Sequence, residues 1–136
     1  MADDVLVDTS VWIDYFQIAQ GSVYERVTRL LKEDRAVFTG LIASELIRGS
    51  HSEKELSVLE RLFRSIKKVV ERETTYLSAG RMGYRLARKG VSPGTVDLLI
   101  GQIAIENNLA LYTHDQHFRA IAKHFPLKLH EGSAET

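Results

Sequence analysis

The apolar positions fall into short β-branched runs separated by stretches of helical period. Val5 to Val7 is a run of the first kind and predicts a buried strand. After it, Trp12, Tyr15, Phe16 and Ala19 fall at i, i+3, i+4 and i+7, one face of a helix. Gly21-Ser22 ends that helix and opens another, whose stripe is Val23, Val27, Leu30 and Leu31. "AVFTG" reads as a second strand closed by Gly40. A short helix follows, roughly Leu41 to Arg48, stopped by Gly49. Ser52, with Glu55 three residues on, has the form of a capping box ahead of Leu56, Leu59 and Phe63. "IKKVV" suits a third strand. From Thr74 or Thr75 to Lys89 a long helix is predicted, with Leu77, Gly80, Tyr84 and Ala87 on one face and its glycines pointing to a close helix contact. Gly90 stops it. "SPGT" turns into a further helix, where Val96, Leu99, Ile100, Ile103 and Ala104 make the most regular stripe in the chain. "LALYT" is a fourth strand. Phe118, Ile121, Ala122 and Phe125 define a last helix, and "LKLH" reads as an edge strand. Strands alternating with helices imply an α/β fold, with a mostly parallel sheet of four to five strands covered on both faces.

The 136 residues fit one domain, 1–136, with "HEGSAET" from about residue 130 expected as a frayed tail. There is no cysteine, so disulfides, thiolate metal sites and cysteine nucleophiles are excluded together. The opening "MADDVLVD" lacks a signal peptide's basic region, and no apolar run is long enough to span a membrane. The expectation is a cytoplasmic protein. Eighteen basic and eighteen acidic residues give no net charge, so nucleic acid would be held by a local patch rather than bulk attraction.

Parallel sheets bind ligands at the carboxyl ends of their strands. Asp8 directly follows the first predicted strand, Glu45 lies shortly after the second, and Asp115 lies just past the fourth. Asp97 opens the helix that leads into the fourth strand, which puts it at the same edge. Singly, each has an ordinary explanation: a dipole partner for Asp97, a helix cap for Asp115, a solvated surface for Glu45. Jointly, four carboxylates on one rim repel one another, and a divalent cation relieves that repulsion. Oxygen donors favour Mg2+ or Mn2+, ions that activate water for phosphodiester chemistry. His114 and His117 are three apart, but no further histidine makes a zinc spacing with them. Arg48, one turn after Glu45, suits a phosphate contact or an ion pair within the acids. Arg81, Arg85 and Arg88 share a helix face that suits solvent or RNA.

The chain resembles the PIN-domain family, and within it the VapC-type ribonuclease toxins of toxin–antitoxin pairs. "VLVDTSVWIDYF" is similar to the family's first motif, "ASELIRG" to the second, and "TVDLLIGQIAIENNLALYTHDQHFRAIA" to the third and fourth in order and spacing. The resemblance implies a PIN-like three-layer α/β/α fold. It assigns Asp8, Glu45, Asp97 and Asp115 to an acidic metal site and matches Ser10 and Thr113 to hydroxyl positions beside it. Some relatives carry another aspartate where this chain has His117. The resemblance further implies an endoribonuclease dependent on Mg2+ or Mn2+, structured RNA such as tRNA as substrate, a homodimer, and inhibition by a cognate VapB-type antitoxin. Two alternatives stand beside it. A non-catalytic PIN-like RNA- or protein-binding domain should have lost some of the acids. An aspartyl phosphatase wants a second aspartate two residues after the first, where this chain has Ser10.

Overall fold

The computed structural model describes residues 3–135. Five strands form one parallel sheet: β1 (Val5–Val7), β2 (Ala36–Phe38), β3 (Lys67–Lys68), β4 (Ala110–Tyr112) and β5 (Lys128–Leu129). Their order is β3-β2-β1-β4-β5. The helices are α1 (Thr9–Gln17), α2 (Ser22–Lys32), α3 (Gly40–Arg48), α4 (Glu53–Ser65), α5 (Thr75–Ala87), α6 (Thr95–Glu106) and α7 (Gln116–His124). Every residue of β1 and β2 is buried, as expected of strands covered on both faces. This is the three-layer α/β/α arrangement anticipated above. No helix among the described residues is long and apolar enough to cross a membrane.

The strand order places the site. From β1 the chain winds outward through β2 and β3, then returns to β4 on the other flank of β1 and continues to β5. The order therefore reverses between β1 and β4, which pair in register from Val5↔Ala110 to Val7↔Tyr112. Loops leaving the two strands diverge there and open a crevice at their carboxyl ends.

Side-chain caps mark the starts of α3, α4 and α7. Thr39 caps α3 by accepting the Ile42 N–H at 3.2 Å. Ser52 caps α4 by accepting the Glu55 N–H at 3.1 Å, and Glu55 Oε2 reaches back to the His51 N–H at 2.6 Å. The return bond falls one residue before the position a capping box would use.

Three expectations about packing differ from the structure. Helix α1 ends at Gln17, so Ala19 lies beyond it; Ile18 is already extended, and Gly21 turns the chain with φ 95°. On α5, Leu77 and Tyr84 face solvent, whereas Thr75, Ala79, Met82 and Leu86 are buried. Both sets have helical spacing, and α6 packs on the side that carries Gly83. The close approach is at Gly83, where an added Cβ would stand 2.7 Å from Leu98 Cδ1; at Gly80 it would meet nothing within 4 Å. Helix α6 is in turn buried nearly all round, through Leu98–Gly101, Ile103 and Ala104, and it is Val96 that is exposed.

The expected frayed tail is the third. Glu131–Glu135 forms a 3-10 turn, and Ser133 is buried. Ser133 Oγ accepts the Thr113 N–H at 3.0 Å and donates to the Leu111 carbonyl at 3.2 Å. Gly132 lies so close to the Tyr112 ring that a Cβ would stand 2.7 Å from it. The polar composition suggested solvent, but these residues extend the pairing of β4 beyond its last sheet bond. Thr136 lies outside the described residues.

Candidate active site at the β1–β4 switch point

Asp8 is the first residue after β1 and sits in the N-cap position of α1. It is 5% exposed. Its Oδ2 accepts two hydroxyl hydrogen bonds, from Ser10 Oγ at 2.9 Å and Thr113 Oγ1 at 2.8 Å. Burial pushes the Asp8 carboxyl above the ordinary carboxylate pKa, and these bonds work in the opposite direction. Each hydroxyl also ties down the β4–α7 loop. Ser10 Oγ accepts the His114 N–H at 3.1 Å, and Thr113 Oγ1 accepts the Asp115 N–H at 3.0 Å.

Asp115 is the N-cap of α7, its Oδ1 accepting the His117 N–H at 2.9 Å. Asp97 lies in the first turn of α6, half-buried. His117 Nδ1 is 3.2 Å from Asp97 Oδ2 and 3.4 Å from Asp115 Oδ1. One donor atom from each of Asp97, Asp115 and His117 lies within 4.8 Å of the others. The Asp97 carboxyl is raised above its ordinary range by burial first and by the Asp115 charge second, with His117 opposing and Asp8 adding a further upward push. Asp8 is therefore electrostatically part of this group. Glu45, inside α3, is linked to it through Thr9: Thr9 Oγ1 donates to Glu45 Oε1 at 2.8 Å.

Asp8, Asp97 and Asp115 thus form one electrostatic group, Ser10 and Thr113 bond to Asp8, and Glu45 is joined to the residue after Asp8 through Thr9. Arg48 is exposed at the end of α3 and makes no ion pair with a described acid, so the intramolecular explanation for it does not hold. His114 turns the other way: its Nε2 is 2.9 Å from Asp14 Oδ2 on α1. The two histidines therefore do not share a site. Thr9 and Ser133 were missed. Thr9 sits beside Asp8 in "DTS" and could have been suspected from that; Ser133 carries no local signal.

Trp12 is fully buried, stacked on Phe16 and edge-on to Tyr15 and Phe63. It is a core residue rather than a surface for bases. Arg88 lies over the Tyr84 ring at 4.0 Å, and Arg81 and Arg85 are exposed beside it.

Comparison with known proteins identifies the family. The PIN domain family matches residues 5–124. Ribonuclease VapC32 of Mycobacterium tuberculosis is 33% identical over 119 residues, covering 85% of this chain and 88% of that protein. Ribonuclease VapC11 of the same species is 29% identical over 123 residues, covering 88% and 92%. Among solved structures, VapBC-1 from nontypeable Haemophilus influenzae superposes with a TM-score of 0.77 at 27% identity, over 95% of this chain and 98% of that one. DNA-bound VapBC from Salmonella typhimurium superposes at 0.79 with 22% identity over 95% and 98%, a likeness of fold. The chain belongs to the PIN-domain family, in the company of the VapC ribonucleases.

Proposed function

We propose that the protein is a metal-dependent endoribonuclease, the toxin of a toxin–antitoxin pair, with Asp8, Glu45, Asp97 and Asp115 as its acidic centre. The observation that carries this reading is the convergence of acids from four separate elements on the β1–β4 crevice, within a chain of VapC kinship. The donor chemistry fits a hard divalent ion: carboxylates predominate, Asp97 and Asp115 are accessible, and their mutual repulsion favours a cation between them. Asp8, Asp97 and Asp115 would hold Mg2+ or Mn2+, with Glu45 nearby. When bound, such an ion supplies the Lewis acidity that phosphodiester hydrolysis needs at neutral pH.

The protein's own groups position the reactants. Ser10 and Thr113 orient the Asp8 carboxylate and keep it from rotating. Thr9 does the same for Glu45. Arg48 is a free cation one helical turn from Glu45 and suits a substrate phosphate. Water exchanges with the ribose oxygen at phosphorus: one P–O bond forms, one breaks, and a proton moves from the water to the leaving oxygen. RNA, with structured RNA such as tRNA among the targets, is the substrate class.

Two surfaces fit the partners of a cytoplasmic toxin. An apolar groove of about 410 Å³ runs between α1, α3 and α4, lined by Ile13, Phe16, Leu46, Val58 and Leu59. It suits an apolar segment of a VapB-type antitoxin. On α5 the exposed Tyr76, Leu77 and Tyr84 suit pairing with a second copy.

The test is cleavage of total RNA with Mg2+ by wild type, Asp8→Asn and Asp97→Asn. Loss on the order of a hundredfold or more is expected for each variant, beyond what removing an outer-shell group costs. Cleavage by both variants at the wild-type rate would sink the reading. The non-catalytic alternative predicts no metal-dependent cleavage by any of the three.

A further inference from the structure

The structure gives His117, in the first turn of α7, a specific posture. Its backbone N–H is held by Asp115 Oδ1 at the first turn of α7. That bond fixes where the ring starts. Nδ1 then lies 3.2 Å from Asp97 Oδ2 and 3.4 Å from Asp115 Oδ1. Atoms bonded to one ion at about 2.1 Å can be no further apart than about 4.2 Å. Both separations from Nδ1 lie inside that limit, and the three donor atoms lie within 4.8 Å of one another, so side-chain adjustment alone brings all three onto one ion. An ion at Nδ1 would require the tautomer with its proton on Nε2, and the largely exposed ring leaves water free to accept that proton.

We propose that His117 Nδ1 is a direct ligand of the divalent ion, and that this mixed nitrogen–oxygen set selects Mn2+ over Mg2+. The inference rests on the carboxylate site proposed above and adds the choice of metal. Mg2+ prefers oxygen and gives up its waters reluctantly, whereas first-row transition ions accept imidazole. An aspartate at this position would add another oxygen and another negative charge, and would suit Mg2+. The histidine substitutes a neutral nitrogen. It lessens the repulsion among the acids and shifts the preference toward a softer ion. His117 is thereby a specificity-determining residue for the metal.

The experiment is calorimetric titration of the metal-free protein with MnCl2 and with MgCl2, together with electron spin echo measurements on the Mn2+-loaded protein. The proteins are wild type, His117→Ala, His117→Asp and Asp97→Asn. Wild type should show modulation from an imidazole nitrogen, and His117→Ala should not. His117→Ala should lose about tenfold or more in Mn2+ affinity while its Mg2+ affinity changes by less than about threefold. His117→Asp should bind Mg2+ more tightly than wild type does. Equal losses for both ions in His117→Ala, or no nitrogen modulation in wild type, would overturn the inference and leave His117 as a hydrogen-bond partner of Asp97. Asp97→Asn separates this from the underlying site: it should weaken both ions. If it binds both as wild type does, or if wild type binds neither, the carboxylate centre itself is refuted along with the inference.

Discussion

Thr113 Oγ1 donates to Asp8 Oδ2 at 2.8 Å across the β1–β4 boundary, although 105 residues separate them in the chain. The same oxygen accepts the Asp115 N–H, so one hydroxyl registers two acids that come from different strands. Replacing Thr113 by valine keeps the shape and removes both bonds. We expect RNA cleavage to fall about 10–100-fold, the range for groups that orient a metal's ligands. Thr113→Ser should recover most of it. Initial rates for the three proteins, with circular dichroism to verify folding, check this; a valine variant as active as wild type contradicts it.

Asp8 gives a prediction about pH. Burial raises its pKa in the folded chain above the ordinary carboxylate range. The folded state therefore holds a proton at pH values where the unfolded chain has already released it. Stability falls as pH rises from the unfolded value through the folded one, and stays lowered above it. Asp8→Asn removes that ionisation and keeps an oxygen able to accept from Ser10 and Thr113. In metal-free protein Asp8→Asn should melt higher than wild type at pH 7, with the gap narrowing toward pH 4. Added Mn2+ or Mg2+ should raise the melting temperature of wild type and much less that of the variant. Thermal melts across pH, with and without ion, read both effects.

Ser133 should matter more than its place near the end of the described chain suggests. Ser133→Ala leaves the buried Thr113 N–H without its acceptor and removes a donor from the Leu111 carbonyl. A loss of about 1–3 kcal/mol in unfolding free energy is expected from the orphaned group. Urea denaturation measures it. No change in midpoint would mean that the 3-10 turn does not hold β4.

The exposed face of α5 carries the expectation of self-association. Leu77 is 78% exposed and buries little within the chain. Leu77→Glu should therefore leave the melting temperature nearly unchanged. If this face pairs with its copy, the same substitution should convert dimer to monomer in light scattering. A Leu77→Glu protein that stays dimeric assigns the interface elsewhere.

Strand and helix order was readable because β1, β2 and β4 are compact apolar runs and several helices carry a start or stop signal: Ser52 and Gly49 are examples. The position of the acids followed from that order, since residues just after parallel strands must share an edge. What could not be read is which of two equivalent stripes a helix buries. Leu77 and Tyr84 looked as eligible as Met82 and Leu86, and the decision depended on how closely α6 could approach Gly83. His117 posed the same difficulty in another form. Its type and spacing fit a surface residue, and only the folded chain brings Nδ1 beside Asp97. Ser133 was illegible for the same reason, because its partners, Leu111 in β4 and Thr113 just past it, are far away in sequence.

The split origin of the acids has a consequence for the chain as it is made. Asp8 and Glu45 belong to its first part, Asp97 and Asp115 to its second, and the exposed left-handed turn at Gly90 stands between them. A nascent chain that has emerged only as far as Gly90 carries half of the carboxylates. It has no β4 to seat beside β1 and no Thr113 to orient Asp8. On the acidic centre proposed above, catalytic competence thus arrives late in synthesis, and a ribosome engaged in making this chain meets no complete centre until most of the chain has been produced.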